Sequence, residues 1–245
     1  MNNKLWICGL SALWLAACAS TDSNSGREAQ DAANETPDMD IPENMSDWPA
    51  ITEEGLHRVP DSRVAVVYAD PEADLGLYDE VMILDVFISF RKNWQRDQNR
   101  TSASNMRVTQ GDIDRIKDRL ATEFNEVFHE VLEADGGFPI VDEAGESVLL
   151  LRPAIINLDV NAPDTMSAGR SRTFAEQAGS MTLYLEVYDS VTGALIAKAI
   201  DAQADRRQGF ATWQTSVSNR QAARRILTDW AQALRDALDE AHPNR

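Results

Sequence analysis

The chain has 245 residues, with 40 acidic side chains against 23 basic ones and a net charge of −17. That balance excludes a nucleic-acid partner, whose phosphates would repel it, and excludes adhesion to anionic headgroups through surface charge. With only Cys8 and Cys18, both near the N-terminus, no disulfide or thiolate metal site can hold a folded domain, so its core rests on burial.

Asn2, Asn3 and Lys4 start the chain, and Leu5 to Leu15 is almost uninterruptedly apolar. The run is too short to span a bilayer but has the length of a secretory signal core. It closes on Leu15-Ala16-Ala17-Cys18, which resembles the bacterial lipobox. Residues 1–17 are therefore the expected signal peptide and Cys18 the expected lipidated residue. Ala19 follows, not an aspartate, so the expected address is the outer membrane, facing the periplasm. Ala19 to about Asp47 is mostly Ser, Asp, Asn, Glu, Thr, Ala and Pro, with no aromatic residue. Such a stretch cannot bury enough apolar surface to offset chain entropy, and 18–47 reads as a lipidated cysteine followed by a disordered acidic tether. A flexible chain of that length spans roughly 30 Å.

Residues 48–245 read as one α+β domain. Arg63 to Tyr68 is a β-rich run closed by Asp70-Pro71. Val81 to Phe90 reads as one central strand, with Met82, Leu84, Val86, Ile88 and Phe90 on its apolar face. Arg91 to Arg107 reads as a polar loop, with five bases against Asp97 alone and Trp94 in its middle, either folded back onto the core from a solvated loop or part of a docking surface. Thr109 and Asp112 open a long helix whose apolar residues, Ile113 through Leu132, recur at steps of three and four. His129 lies in it with no second histidine one turn away, so a zinc helix is not expected. Asp135-Gly136-Gly137 ends it.

Phe138 to Val141 reads as a short strand and Ser147 to Val160 as a longer one, with Pro153 expected at an edge or bulge. Asn161 to Ala178 is a long polar loop. Met181 to Tyr188 alternates, Asp189 to Gly193 turns, and Ala194 to about Ala204 returns. A last helix is expected from a capping box at Ser218 and Gln221, with Ala222, Ile226, Trp230, Leu234 and Leu238 on its stripe. The expected fold is thus a mostly antiparallel sheet of about five strands, with two amphipathic helices packed on one face.

Tyr68 to Trp94, Val148-Leu149-Leu150-Leu151-Arg152-Pro153-Ala154 and Tyr188-Asp189-Ser190-Val191-Thr192-Gly193 resemble, in order, the DUF3313 family of bacterial lipoproteins (DUF for domain of unknown function). The resemblance implies an envelope lipoprotein with a mixed α/β domain and brings no catalytic residues.

No nucleophile elbow, phosphate loop, dinucleotide fingerprint or zinc helix motif occurs. The expectation is a non-enzymatic interaction or scaffold lipoprotein without metal or cofactor. The alternative is a lipid- or small-molecule-binding accessory of an envelope transport machine, which a large apolar cavity would favour. The candidate docking surface is arginine-rich: Arg91, Trp94, Arg96 and Arg100, Arg170 with Arg172, and Arg206 with Arg207. It suits an acidic envelope protein or the carboxylates of peptidoglycan peptides. The competing reading is that these arginines neutralise local acids such as Asp97 and Asp205.

Changing Cys18 to Ser should release the protein from the membrane fraction. A variant that stays membrane-bound through a carbonate wash would place the anchor elsewhere.

Overall fold

The computed structural model describes residues 48–101, 107–160, 174–175, 177–206, 212–213 and 216–243. The expected signal, Cys18 and the tether lie outside them. In chain order the elements are β1 (His57–Arg58), β2 (Val66–Ala69), β3 (Glu80–Ile83), β4 (Phe87–Phe90), α1 (Trp94–Thr101), α2 (Gln110–Glu133), β5 (Val148–Val160), β6 (Phe174–Ala175), β7 (Gln177–Asp189), β8 (Leu195–Arg206), β9 (Thr212–Trp213) and α3 (Ser216–Ala241). The main sheet has seven strands in the order β1-β2-β8-β7-β5-β3, with β4 also paired to β5. Every pairing is antiparallel except those of β3 and β4 with β5. Strands β6 and β9 form a separate two-stranded ribbon.

The α+β class stands, but this sheet is wider than the expected five strands, and the described residues form three α-helices rather than two. One cause is the stretch Val81 to Phe90, which is two strands rather than one. β3 runs alongside Val148–Leu151 and β4 alongside Ala154–Leu158, both parallel to β5. The break at Leu84-Asp85-Val86 has a source in the neighbour. The Leu84 N–H donates to the Leu151 carbonyl, so Leu151 presents its polar groups to this edge. Two residues on, Pro153 presents the same edge with no N–H to give. The ladder lapses there and resumes at Phe87.

The lapse also resets the face. Val81, fully buried, and Ile83 meet the core from β3, whereas Ile88 and Phe90 do so from β4. An unbroken strand would put Val81 and Ile88 on opposite faces. Pro153 thus sits in a strand with neighbours on both sides, contrary to the expectation of an edge. Phe138 to Val141 is not a strand but an isolated bridge, Val81 to Ile140.

Helices α2 and α3 pack on each other and on one face of the sheet. The capping box expected at Thr109 and Asp112 is present, and both side chains bond the facing backbone N–H groups. Along α2, Phe124 and Phe128 stack at 4.0 Å between ring centroids, and with Leu132 they are fully buried. Across from them lie Leu227, Trp230 and Leu238 of α3, and Leu149, Leu151 and Ile155 of β5. Helix α3 starts at Ser216, so Ser218 lies inside it rather than capping it. Its docking is fixed by polar ties. The Trp230 Nε1 donates to buried Asp201 Oδ2 at 2.7 Å, and the other oxygen accepts the Ala65 N–H at 2.9 Å. Burying an indole and a carboxylate together is tolerable because both are bonded.

Arg235 of α3 closes the far end of α2. Its Nη1 donates to the carbonyls of Val131, Leu132 and Ala134 at the helix end, where Leu132 also accepts the Phe138 N–H and Ala134 the Gly137 N–H, and its guanidinium lies over the Phe138 ring at 5.5 Å. Gly137 lets the chain pass under it. A Cβ there would collide with Arg235 Nη1 and with the Leu132 carbonyl. Gly137→Ala should therefore cost about 2 kcal/mol or more, overpacking being destabilising, and lower Tm by roughly 4–8 °C. A thermal melt checks this. An unchanged Tm would mean that Arg235 can leave the helix end freely.

Candidate functional site

The arginine-rich stretch folds differently from its reading. Trp94 opens α1 and is 1 % exposed, stacked on Phe90 at 4.2 Å, and its Nε1 donates to the Val160 carbonyl at 3.4 Å. Fully burying such a ring is worth about 1.5–3 kcal/mol, so Trp94 belongs to the core and not to a docking face. Arg91 is held in place, with Nε on Asp159 at 2.8 Å and Nη1 on Asp97 at 3.0 Å. Those contacts hold the Asp97 carboxyl below its usual range, chiefly through the Arg91 hydrogen bond. Arg96 is exposed and reaches Asp97 at 3.5 Å, and Arg100 is exposed at the end of α1. The stretch thus follows the neutralising alternative at Arg91 and Arg96. Arg170, Arg172 and Arg207 lie outside the described residues, and Arg206 is described only as the backbone end of β8.

Helix α1 has almost no apolar stripe to reveal it. Polar side chains at helical spacing hold it instead. Trp94 and Gln98 both donate to the Val160 carbonyl, and Gln95 and Asn99 both donate to the Val108 carbonyl. Asn99 also accepts the Val108 N–H at 2.6 Å.

A different site lies beside this helix. Helices α2 and α3 meet closely where Phe124, Phe128, Trp230 and Leu238 fill the space, but nearer the start of α3 the side chains that line the joint include the small Ala222 and Ala223. The gap is a cleft of about 580 Å³. Ile116 and Leu120 of α2, Ala222, Ala223 and Ile226 of α3, Leu158 and Val160 of β5, and Met181 of β7 form its apolar lining. A bulge shapes the floor. Asn157 takes a positive φ of 52° and the register with β7 shifts between Ile156 and Asp159. The inserted residue turns Leu158 and Val160 to the face that Ile155 already occupied. The alanine pair and an asparagine inside a strand are both visible in the sequence, but neither marks a site by itself.

The polar lining is Asp118, Arg119, Thr122, Glu123, Asp159, Ser180 and Arg220. Glu123 is 5 % exposed and bonds Arg220 Nε at 2.5 Å and Arg224 Nη1 at 2.6 Å, tying α2 to α3. Burial alone would raise its pKa, but the hydrogen bonds from Arg224 and Arg220 outweigh that and hold it below the ordinary 4.5. Asp159 gives Oδ2 to Arg91, while its Oδ1 is buried without a hydrogen-bond partner.

The opposite face of the sheet carries a satisfied network rather than a site. Buried Glu186 accepts from Tyr184 at 3.1 Å, Tyr188 at 2.9 Å and Arg152 at 3.3 Å. Lys198 nearby bonds Glu54, whose carboxyl is thereby lowered to about 2. Burial, with Glu186 beside it, raises the Tyr184 hydroxyl well above its usual range. Among the described residues no cluster of three or more His, Cys, Asp or Glu stands ready for a metal ion. None of the described helices is long and apolar enough to cross a membrane.

Fold and cleft together define an α+β protein with two helices over one face of a mixed sheet and an apolar hollow between them. The chain belongs to a family of proteins of unknown function, DUF3313, whose model matches residues 53–234. No curated protein matches it. Among solved structures it is similar to protein XCC0632 of Xanthomonas campestris, a DUF330 protein, at 13% identity and a TM-score of 0.37, over 72% of this chain and 94% of that one. It is also similar to PelC, solved as a dodecamer, from Paraburkholderia phytofirmans, at 11% identity and a TM-score of 0.35, over 69% of this chain and 98% of the other.

The lowered pKa of Glu123 fixes a sign. Its bond to the arginines stabilises the fold fully above the ordinary carboxylate value, and that contribution is lost as pH falls through the lower folded value. Glu123→Gln should therefore cost roughly 1–3 kcal/mol at pH 7, with the difference from the parent shrinking in acid. Urea unfolding of both proteins at neutral and acid pH checks it. A deficit that persists unchanged in acid would contradict the charge assignment.

Proposed function

We propose that this protein is a lipoprotein of the bacterial cell envelope, anchored through acyl chains on Cys18 at the outer membrane and facing the periplasm. Its folded part is a non-catalytic binding module for an apolar small molecule or lipid. The observation that carries this reading is the cleft: about 580 Å³, walled by eight apolar side chains from two helices and two strands. That size and lining are those of small-molecule sites, where apolar walls supply affinity and a few polar groups orient the ligand. The lipobox order at Leu15 to Cys18 supports the anchor, and the absence of nucleophile, phosphate-loop and zinc motifs from the sequence supports a binding role over an enzymatic one. This is the accessory reading of the sequence rather than the scaffold reading. Arg96 and Arg100, exposed on α1, leave an acidic envelope protein or peptidoglycan as a second partner.

The mature, unlipidated chain should bind N-phenylnaphthylamine, an apolar dye that brightens on leaving water, at about one molecule per chain. Ala223→Trp, which fills the cleft from α3, should abolish the brightening while the circular dichroism stays that of the parent. Equal dye binding by parent and variant would move the site elsewhere, and no binding by the parent would end this reading.

A further inference from the structure

We infer that Arg220 is a strap across the mouth of the cleft: a ligand enters when its guanidinium leaves Glu123, while Arg224 keeps that carboxylate paired. This rests on the binding reading above and adds how the site opens and closes.

The cleft has the sheet for its floor and α2 and α3 for its walls, so a side chain that ties one helix to the other stands over it. Arg220 is such a side chain. It projects from α3, lines the cleft, and reaches α2 twice, with Nε on Glu123 Oε2 at 2.5 Å and Nη2 near Glu126 Oε2 at 3.6 Å. The Arg220 side chain is 66 % exposed and Glu126 is half-exposed, which sets the crossing on the solvent side of the joint. The methylenes of an arginine cover apolar surface while its charge stays in water.

Two arginines hold Glu123, and they are not equivalent. Arg224 bonds Oε1 at 2.6 Å, also pairs with Glu130, and is the less exposed of the two. Arg220 bonds the other oxygen and stands one turn nearer the start of α3, and helix ends open at lower free energy than helix middles. Losing both arginines would strand a buried charge, which is strongly destabilising. Losing Arg220 alone does not. Glu123 keeps Arg224 on Oε1, and the departing guanidinium admits water to Oε2 in its place. The carboxylate can therefore release one arginine and stay charged and bonded.

The packing around the joint confines the opening to this end. Beyond it Phe124, Phe128, Trp230 and Leu238 fill the space between the helices. On the cleft side α3 presents the small Ala222 and Ala223, so no bulky side chain leaves a socket when Arg220 swings away.

Stopped-flow fluorescence of N-phenylnaphthylamine on the mature, unlipidated chain measures entry and exit. The dye is uncharged, so salt does not steer its encounter with the protein. Arg220→Gln, which removes the charge but keeps part of the stem, should speed both rates about fivefold and leave Kd within about twofold, the scale of one partly exposed ion pair. In the parent, raising salt from about 0.01 M to about 1 M should speed both rates about threefold, and Arg220→Gln should lose that dependence. A pair that only stabilised the fold would lower Tm and leave the two rates alone. Parent rates that do not respond to salt would overturn the strap, and that measurement needs no variant. A variant that matches the parent in both rates, or that binds more weakly with entry unchanged, would overturn it too. If the dye binds and its rates ignore Arg220 and salt, only this inference fails. If the parent does not bind the dye, the cleft reading fails and the strap with it.

Discussion

Strand β5 has hydrogen-bonded neighbours on both edges and helices over one face, so each irregularity in it is imposed on whatever pairs with it. It contains two. Pro153 withholds an N–H from the edge it shares with β3 and β4, and those strands part opposite it. Asn157 inserts a residue with positive φ, and the register to β7 shifts around it. Each resets the side-chain phase, once in a neighbour and once in β5 itself. The first reset lets Val81 and Ile88 share one core. The second turns Leu158 and Val160 toward the helices at the end of the strand where the helices stand over small residues.

The cleft follows from that second reset meeting a gradient in helix packing. Toward Leu132 and Leu238 the helices are filled by aromatic and leucine side chains and sealed by Arg235 over the end of α2. Toward Ile116 and Ala223 they are not, and the joint is ionic: Glu123 against Arg220 and Arg224. A buried carboxylate held by two arginines keeps the helices in register without filling the space between them, which a leucine in its place would do. The stability of the domain and the openness of the cleft thus come from different ends of one helix pair.

Much of this was legible in the chain. The periodic apolar positions of α2, its Thr109 cap, the alternation of Met181 to Tyr188 and the Asp189 to Gly193 turn all carry short-range signals that tertiary structure did not override. Asp189 accepts the Val191 and Thr192 N–H groups and Gly193 takes a φ of 69°, as such a turn requires. The misreadings have a common source: each depends on a partner distant in sequence. Val81 to Phe90 alternates well enough for one strand, and only Pro153, about 70 residues on, breaks it. Trp94 amid arginines fits either a surface hot spot or a ring folded back onto the core, and it is Phe90 and the Val160 carbonyl that decide for the core. Helix α1 is held by amide side chains reaching the backbone at Val108 and Val160, an arrangement with no hydropathy pattern. The cleft was the least legible, since Ala222 in the helix stripe reads as core, and Ala223 beside it carries no signal, until the strand opposite is known.

The central claim is that an apolar ligand enters between α2 and α3 above the bulged end of β5. The most direct measurement is paramagnetic broadening of amide resonances by a spin-labelled acyl ester. The account predicts broadening confined to Ile116 through Glu123, Leu158 through Val160, Gly179 through Met181, and Arg220 through Ile226. Broadening centred on Tyr184, Glu186 and Lys198 across the sheet, or spread evenly over the surface, would contradict it.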